Sequence, residues 1–429
     1  VKAALSALDD ALETHAPAAF ELLEDLVRAD STVGRESAAE EVLADALAAS
    51  DFELERLAVP ESIGSDPLAG IPPMSYAGRY DLVGRRAGSV PGAASLLLNG
   101  HIDVVPAEDA GGWTSPPFEP TRRDGWLVGR GAGDMKCGFA MGLLALRALD
   151  ETHPGWQRGA LTVLAVIEEE CTGNGTLAAG RAGVLADAAV LLEPTELEML
   201  LAGIAIVWIE IEVEGRSGHA EAAGRSVNPI LAAAPVLEGL RRLESRMNDE
   251  HRGVGADPAF STIEAPYTVN VGTFRSGSWA SSVPEVARIG VRVGHPAAWT
   301  AERTVDEVRA AVADASGDDP WLLAHPPTYR LNGYRAERYA QDPGHPFVRR
   351  FARAHEAAHG VTPAAVPIGS TTDARYYLNQ FDTPALAYGP RTRNMHGVDE
   401  AVELRSIVEG ARTLARFLLD HLGAGEARS

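Results

Sequence analysis

The sequence predicts an α/β protein in two parts, a mostly parallel sheet between helical layers interrupted by a smaller α+β insertion. Three observations predict it. The chain has 429 residues, 45% hydrophobic and 23% charged, which suits two or three domains with sizeable cores and excludes disorder as the main state. Short apolar runs alternate with helix-period stretches toward both ends. In the middle, residues 204–214 (IAIVWIEIEVE) turn to period two near their end, as a strand with one wet face does.

Residues 16–50 are expected to form two amphipathic helices around a turn at Ser31-Thr32-Val33-Gly34. Strands are expected at 95–99, 161–167, 188–192 and 383–388, and helices at 137–149, 346–359 and 404–422. The insertion reads strand–helix–strand–strand–helix–strand: 204–214, a helix from 228 to 247, strands at 267–274 and 287–293, a helix at 301–314, and a closing strand. One discontinuous domain is therefore expected at 1–203 and 333–429, with the inserted domain at 204–332.

Thirty-eight basic against 60 acidic residues give a net charge of -22. That disfavours nucleic-acid backbones and anionic membrane surfaces as partners. The longest uncharged apolar run, 201–209, falls well short of the roughly 18 residues a membrane span needs. The N-terminus is acidic and amphipathic (Leu8, Leu12, Phe20, Leu23, Leu26) rather than signal-like. Two cysteines, Cys137 and Cys171, exclude a disulfide framework and a cysteine-rich zinc finger, and buried thiols are expected. A cytoplasmic protein is the expectation.

Acidic and histidine clusters follow the apolar strands, where ligands bind in open α/β sheets. His101 and Asp103 are two apart on an extended chain and share a face, as a metal-binding His and its carboxylate or a plain strand-end pair would. Gly129, Gly131 and Gly133 fold a tight loop that brings Asp134 to a helix start, as a ligand or an N-cap. Glu168-Glu169-Glu170 close a strand with three adjacent carboxylates, which calls for a compensating charge such as a divalent cation. Adjacent residues point different ways, so one Glu can bind metal while its neighbour serves as a base. Glu193, fixed by Pro194, and His396 in Asn394–Glu400 complete the set.

His355-Glu356-Ala357-Ala358-His359 fits the H-E-x-x-H zinc-protease pattern. No third ligand follows at the usual spacing, and Phe347, Phe351, Ala354 and Ala358 make it an ordinary packed helix ended by Gly360. A nucleotide loop and a Gly-x-Ser-x-Gly elbow are absent; Gly215-Arg216-Ser217-Gly218-His219 misses at its last position.

Together the motifs GHIDVVP (100–106), GRGAGDMK (129–136), EEECTGNGT (168–176), EPT (193–195), GRSGHA (215–220), GSTTDAR (369–375) and MHGVDE (395–400) resemble the family of acetylornithine deacetylase, succinyl-diaminopimelate desuccinylase, aminoacylase and the glutamate carboxypeptidases. The resemblance implies a zinc-peptidase-like catalytic domain with an inserted lid and dimerisation domain. It implies two zinc ions per subunit, with cobalt or manganese as alternatives. Asp134 would bridge them, His101 and Glu193 would complete one site, and His396 and Glu170 the other. Asp103 would orient His101, Glu169 would be the general base, and His219 would reach the partner's site in a homodimer. Arg375, Thr371, Asn270 and Arg391 would contact substrate.

Departures from the family pattern bear on substrate. Ser281-Ser282-Val283-Pro284 replaces Asn-x-Val-Pro, Ala202 stands where a basic residue often precedes the Gly, and Cys137 replaces a common Gly. Arg292-Val293-Gly294 stands where Asp-x-Arg often supplies a carboxylate-binding Arg, which leaves either Arg375, Arg391 or Arg393 to substitute or a substrate with no carboxylate at that place. The reading is a dinuclear-zinc amidohydrolase acting on an N-acyl amino acid or related small amide. Its alternatives are a metallo-exopeptidase on short peptides and a non-catalytic binding protein that keeps the fold.

Overall fold

The computed structural model describes residues 2–107, 110–252 and 257–423. A nine-stranded sheet forms its centre. Across that sheet run Glu53–Ala58, Tyr80–Arg86, Leu161–Val166, Leu96–His101, Ala189–Leu191, Ala385–Ala387, Met199–Gly203 and Tyr339–Ala340, with Ala365–Ile368 also beside Met199–Gly203. The four middle strands, from Leu161–Val166 to Ala385–Ala387, are parallel, and antiparallel pairs flank them.

Side chains explain the layering. Leu96–His101 is buried at all six positions, as a parallel strand covered on both faces must be. Leu96 and Leu98 join the core beneath Lys2–Arg28, Lys136–Thr152, Pro346–His359 and Leu404–Gly423. Leu97 faces the opposite core with Ala179 of Asn174–Arg181 and Ala374 and Tyr377 of Ala374–Gln380. Period-two alternation thus feeds two helical layers from one strand.

The insertion builds its own four-stranded antiparallel sheet in the order Val269–Ser276, Val286–His295, Ala205–Glu214, Thr328–Ala336. Ile209, Ile211 and Val213 point to a separate core under Ala234–His251 and Ala301–Ser316. Glu210 and Glu212 alternate with them on the wetter face.

Differences from the sequence expectations have local causes. The first helix begins at Lys2, not near 16, because Leu8 and Leu12 continue its buried stripe. The helix expected over 228–247 breaks at Ala233 into Pro229–Ala232 and Ala234–His251, since Pro235 has no N–H to continue the ladder. The last lid strand runs on to Ala336.

One contact fixes the catalytic layer. Gly138, in the first turn of Lys136–Thr152, lies so close to the Leu192 carbonyl that a Cβ would collide with it. Gly138→Ala should therefore force the helix off the strand and cost roughly 1–3 kcal/mol, as overpacking does. Thermal unfolding at fixed metal concentration measures it, and an unshifted transition would show that the helix has slack at this point.

Candidate dinuclear metal centre

The parallel strands deliver their chemistry at one edge. Leu96–His101 ends in His101, Leu161–Val166 runs into Glu168-Glu169-Glu170, and Ala189–Leu191 runs into Glu193. Asp134 lies at the turn before Lys136–Thr152, and its peptide bond to Met135 is cis. His396 stands on the loop between Thr392–Arg393 and Ala401–Glu403.

Two donor triads result: His101, Asp134 and Glu193; and Asp134, Glu170 and His396, each with donor atoms within 4.8 Å of one another. Asp134 is common to both. Its Oδ1 is 3.1 Å from His101 Nε2, and its Oδ2 is 3.3 Å from His396 Nε2. Glu193 Oε2 lies 3.8 Å from His101 Nε2, and Glu170 Oε2 lies 3.1 Å from His396 Nε2. Glu170 Oε1 and Glu193 Oε1 are buried without a hydrogen-bond partner. Unpartnered buried carboxylate oxygens beside imidazoles fit a pair of divalent cations.

The charge balance agrees. Burial pushes Glu193 up to about 8, with His101 opposing. The Glu170 carboxylate raises His396 to about 11, against its burial and with help from Asp134. Burial pulls His101 down, but the Glu193 and Asp134 carboxylates outweigh it and hold its pKa well above the ordinary imidazole value. Asp134 is half-buried, which opposes ionisation, yet it is held below the usual carboxylate range by hydrogen bonds from both histidines. These are the shifts of carboxylates crowded together and in need of positive charge.

Neighbouring residues hold the donors. His101 Nδ1 lies 2.9 Å from the carbonyl oxygen of Asp103 and 3.7 Å from its carboxylate. The Asp103 carboxylate instead accepts the Glu169 and Glu170 N–H groups, both at 3.2 Å. So Asp103 serves His101 through its backbone and the glutamate turn through its side chain. Glu169 is buried, and burial together with Asp373 pushes its carboxyl well above the ordinary range, with His101 opposing. A carboxyl group so shifted can hold a proton near neutral pH.

The three adjacent glutamates do not share one cation. Glu168 turns away at φ +61 and accepts from Tyr76 Oη at 2.6 Å, Thr172 Oγ1 at 2.9 Å and the Arg79 guanidinium. Sequence reasoning missed Arg79 because it lies far off in the chain. It also gave Glu400 no role, although it stands inside a quoted motif. Glu400 Oε1 accepts the N–H groups of Gly133 and Asp134 at 2.9 and 2.8 Å, and Arg130 pairs with its other oxygen at 2.5 Å. Cys137 is buried, and its thiol donates to the Gly133 carbonyl at 3.1 Å. Cys171 is also a buried free thiol.

The expected substrate contacts are dispersed. Arg375 is buried, bonded to the Thr372 and Thr172 carbonyls at 3.0 and 3.3 Å and stacked over Tyr376. Arg391 pairs with Glu403 and Glu409 at 3.0 and 2.8 Å, and Arg393 lies over Trp126. The Thr371 hydroxyl is buried and unpartnered. Asn270 is exposed on the lid, paired in register with Arg292. Arg292 crosses from the lid to the catalytic domain. It donates to Thr268 Oγ1 at 2.9 Å and to the Gly369 carbonyl and Ser370 Oγ at 3.3 Å each. Among the described residues no carboxylate comes within 4.0 Å of it. His219 is exposed, accepts from the Glu221 N–H at 3.2 Å, and belongs to neither triad.

The profile of Peptidase family M20/M25/M40 matches residues 97–420. The chain belongs to this family. It is a metal-dependent amide hydrolase. A succinyl-diaminopimelate desuccinylase of Methylobacterium radiotolerans is 32% identical over 92% of this chain and 94% of that protein. An N-formyl-4-amino-5-aminomethyl-2-methylpyrimidine deformylase of Bacillus subtilis is 28% identical over 80% and 83%. Human carnosine dipeptidase 1 shares the fold, with a TM-score of 0.75 at 14% identity over 98% and 100% of the two chains.

The H-E-x-x-H helix is no part of the centre. His355 Nδ1 meets Tyr388 Oη at 2.9 Å and His359 Nε2 meets Thr413 Oγ1 at 2.9 Å. Burial lowers His355 from 6.5 to about 4. The unfolded chain binds that proton first, so the site's contribution to stability is present above pH 6.5 and is lost as pH falls toward 4. His355→Gln should lessen this acid loss in thermal melts and leave metal content and turnover at pH 7 unchanged. Metal loss in that variant would make the helix part of the centre after all.

Proposed function

We propose that the protein is a dinuclear-zinc deacylase that hydrolyses the amide bond of an N-acyl amino acid or related small amide. The observation that carries this reading is Asp134 shared between two triads, with Glu169 beside them. His101 and Glu193 would hold one ion, His396 and Glu170 the other, and Asp134 both. Two histidines with carboxylates are a donor set that suits zinc, with cobalt or manganese as alternatives. Bound cations of this kind acidify water and polarise a substrate carbonyl.

The chain's own groups do the rest. Glu169 takes the proton of the attacking water and returns it to the departing amine nitrogen, so that a carboxylate and an amine leave. Asp103 holds Glu169 through its backbone N–H. Arg292, free of carboxylate partners among the described residues and paired in register with Asn270, is placed to take a carboxylate on the substrate. This replaces Arg375 and Arg391, whose guanidinium groups are engaged elsewhere. The desuccinylase and deformylase relatives support a deacylase over a dipeptidase.

We infer also that two copies pair and that His219 completes the partner's site, where it would stabilise the oxyanion. Two features support this. His219 is exposed and outside its own chain's triads. Val269–Ser276 is an edge strand of the lid sheet with Val271 and Phe274 exposed, and such an edge invites a second chain.

Purified enzyme should carry about two zinc ions per chain and lose activity on chelation, with metal restoring it. Glu169→Gln should keep the metal and lower kcat by roughly 10²–10⁴-fold. On a panel of N-acyl amino acids, their carboxamides and dipeptides, the N-acyl acids should be the best substrates. Full turnover by metal-loaded Glu169→Gln would end the mechanism, and a preference for dipeptides would end the deacylase reading.

The cross-subunit role has its own test. His219→Ala and Glu169→Gln should each be nearly inactive as homodimers. Mixed in equal amounts and allowed to exchange, they should recover about a quarter of wild-type activity, because each mixed dimer holds one complete site. No recovery on subunit exchange would place His219 in its own chain's site or outside catalysis.

A further inference from the structure

We propose that Tyr334 is a positioning residue that ties the lid hinge to the base, its hydroxyl holding the Glu169 main chain and so placing the carboxylate for proton transfer. This rests on the reading of Glu169 as the base. The two strands that enter and leave the lid, Ala205–Glu214 and Thr328–Ala336, lie side by side. Their register slips between Asn332 and Arg335. The slip leaves Gly333 at φ +57, where a Cβ would collide with the Trp208 indole, so glycine is the residue that fits. A bulge re-aims the side chain beside it.

Here that side chain is Tyr334. Its hydroxyl donates to the Glu169 carbonyl oxygen and lies 3.4 Å from the carboxylate Oε2. The ring is held from both domains. Trp208, on the neighbouring lid strand, meets it edge-on at 5.4 Å. The Arg375 guanidinium, from the catalytic domain, sits 5.3 Å from its centroid. Ile71 of the catalytic domain donates its N–H to the Gly333 carbonyl at 2.8 Å. The hinge is therefore pinned beside the bulge, and the phenol cannot shift without disturbing one of these neighbours.

The consequence is that the base is held at the point where the lid strands meet the catalytic domain, between Trp208 on one side and Arg375 on the other. Positioning of this kind changes kcat more than substrate binding.

Tyr334→Phe keeps the ring and its packing and removes only the hydroxyl. Its kcat on an N-acyl amino acid should fall roughly 10-fold with KM changed less than about twofold, the loss of one well-placed hydrogen bond. Metal per chain and the thermal midpoint should match wild type. In Glu169→Gln, which has no base left to position, the same change should lower the residual kcat by less than about twofold, since groups acting through one another are not additive. An equal loss in both backgrounds, loss of metal, or an unchanged kcat in Tyr334→Phe would each overturn the proposal. Full turnover by Glu169→Gln would instead overturn the reading of the base, which keeps the two failures apart.

Discussion

Asp134 must face two histidines at once, and much of the catalytic domain is arranged to let it. Each of its oxygens serves a different triad. A carboxylate in that position cannot be held by its own side chain, since both oxygens are engaged. It is held through its backbone. Glu400 takes its N–H and that of Gly133, and Arg130 neutralises Glu400. Behind it, Lys136–Thr152 presses against Leu192 through Gly138, one residue before Glu193. The spacing of Asp134 and Glu193 is thus set by helix-on-strand contact and not by a flexible loop. Lys136 is buried at the start of the same helix and donates to the Leu26 and Ala29 carbonyls at 2.7 and 3.0 Å. The first helix is thereby fastened to the loop that carries the shared ligand.

The same electrostatic pressure explains what the sequence let one read. Five ligand candidates stood directly after apolar strands, so topology alone sent His101, Glu170 and Glu193 to one edge of the sheet. Period-two burial in residues 204–214 separated the lid sheet from the central one. These features are local, or repeat with a fixed period, and a single sequence carries them. Partners from distant segments are different. Arg79, which neutralises Glu168, lies 89 residues before it, and Glu400 lies 266 residues after Asp134. No spacing rule pairs them. The acidic run 168–170 therefore read as three carboxylates awaiting a cation, when one already had its arginine. Arg292 was passed over for a related reason. Its value comes from crossing to Gly369 and Ser370 of the other domain, a contact that strand pattern cannot express.

On the proposed function, specificity and catalysis are built from different parts of the chain. Of the candidate metal-facing groups, His101, Glu170 and Glu193 come from the ends of the parallel strands, and Asp134 and His396 from loops beside them. Arg292 and Asn270 come from neighbouring lid strands, in a sheet with its own core. A lid with a separate core can change its binding residues without repacking the catalytic layer.

Such a division leaves a mechanical question, because a binding lid and a catalytic layer that fold separately must still act together. Only the two hinge strands connect the lid sheet to the catalytic domain along the chain. Any signal along the chain must pass through Ala205–Glu214 or Thr328–Ala336. The register slip at Gly333 is where that pair departs from regular pairing, and it lies beside Glu169. An unbroken ladder there would turn the residue after Gly333 back along the sheet and leave Glu169 without a partner from the hinge. The irregularity costs ladder hydrogen bonds and demands glycine. It persists in a strand pair that is regular from Thr328 to Asn332, beside a neighbouring pair, Val286–His295 with Ala205–Glu214, that runs without a slip. Regular pairing would serve the lid's stability better, so the bulge is best explained by what its side chain reaches.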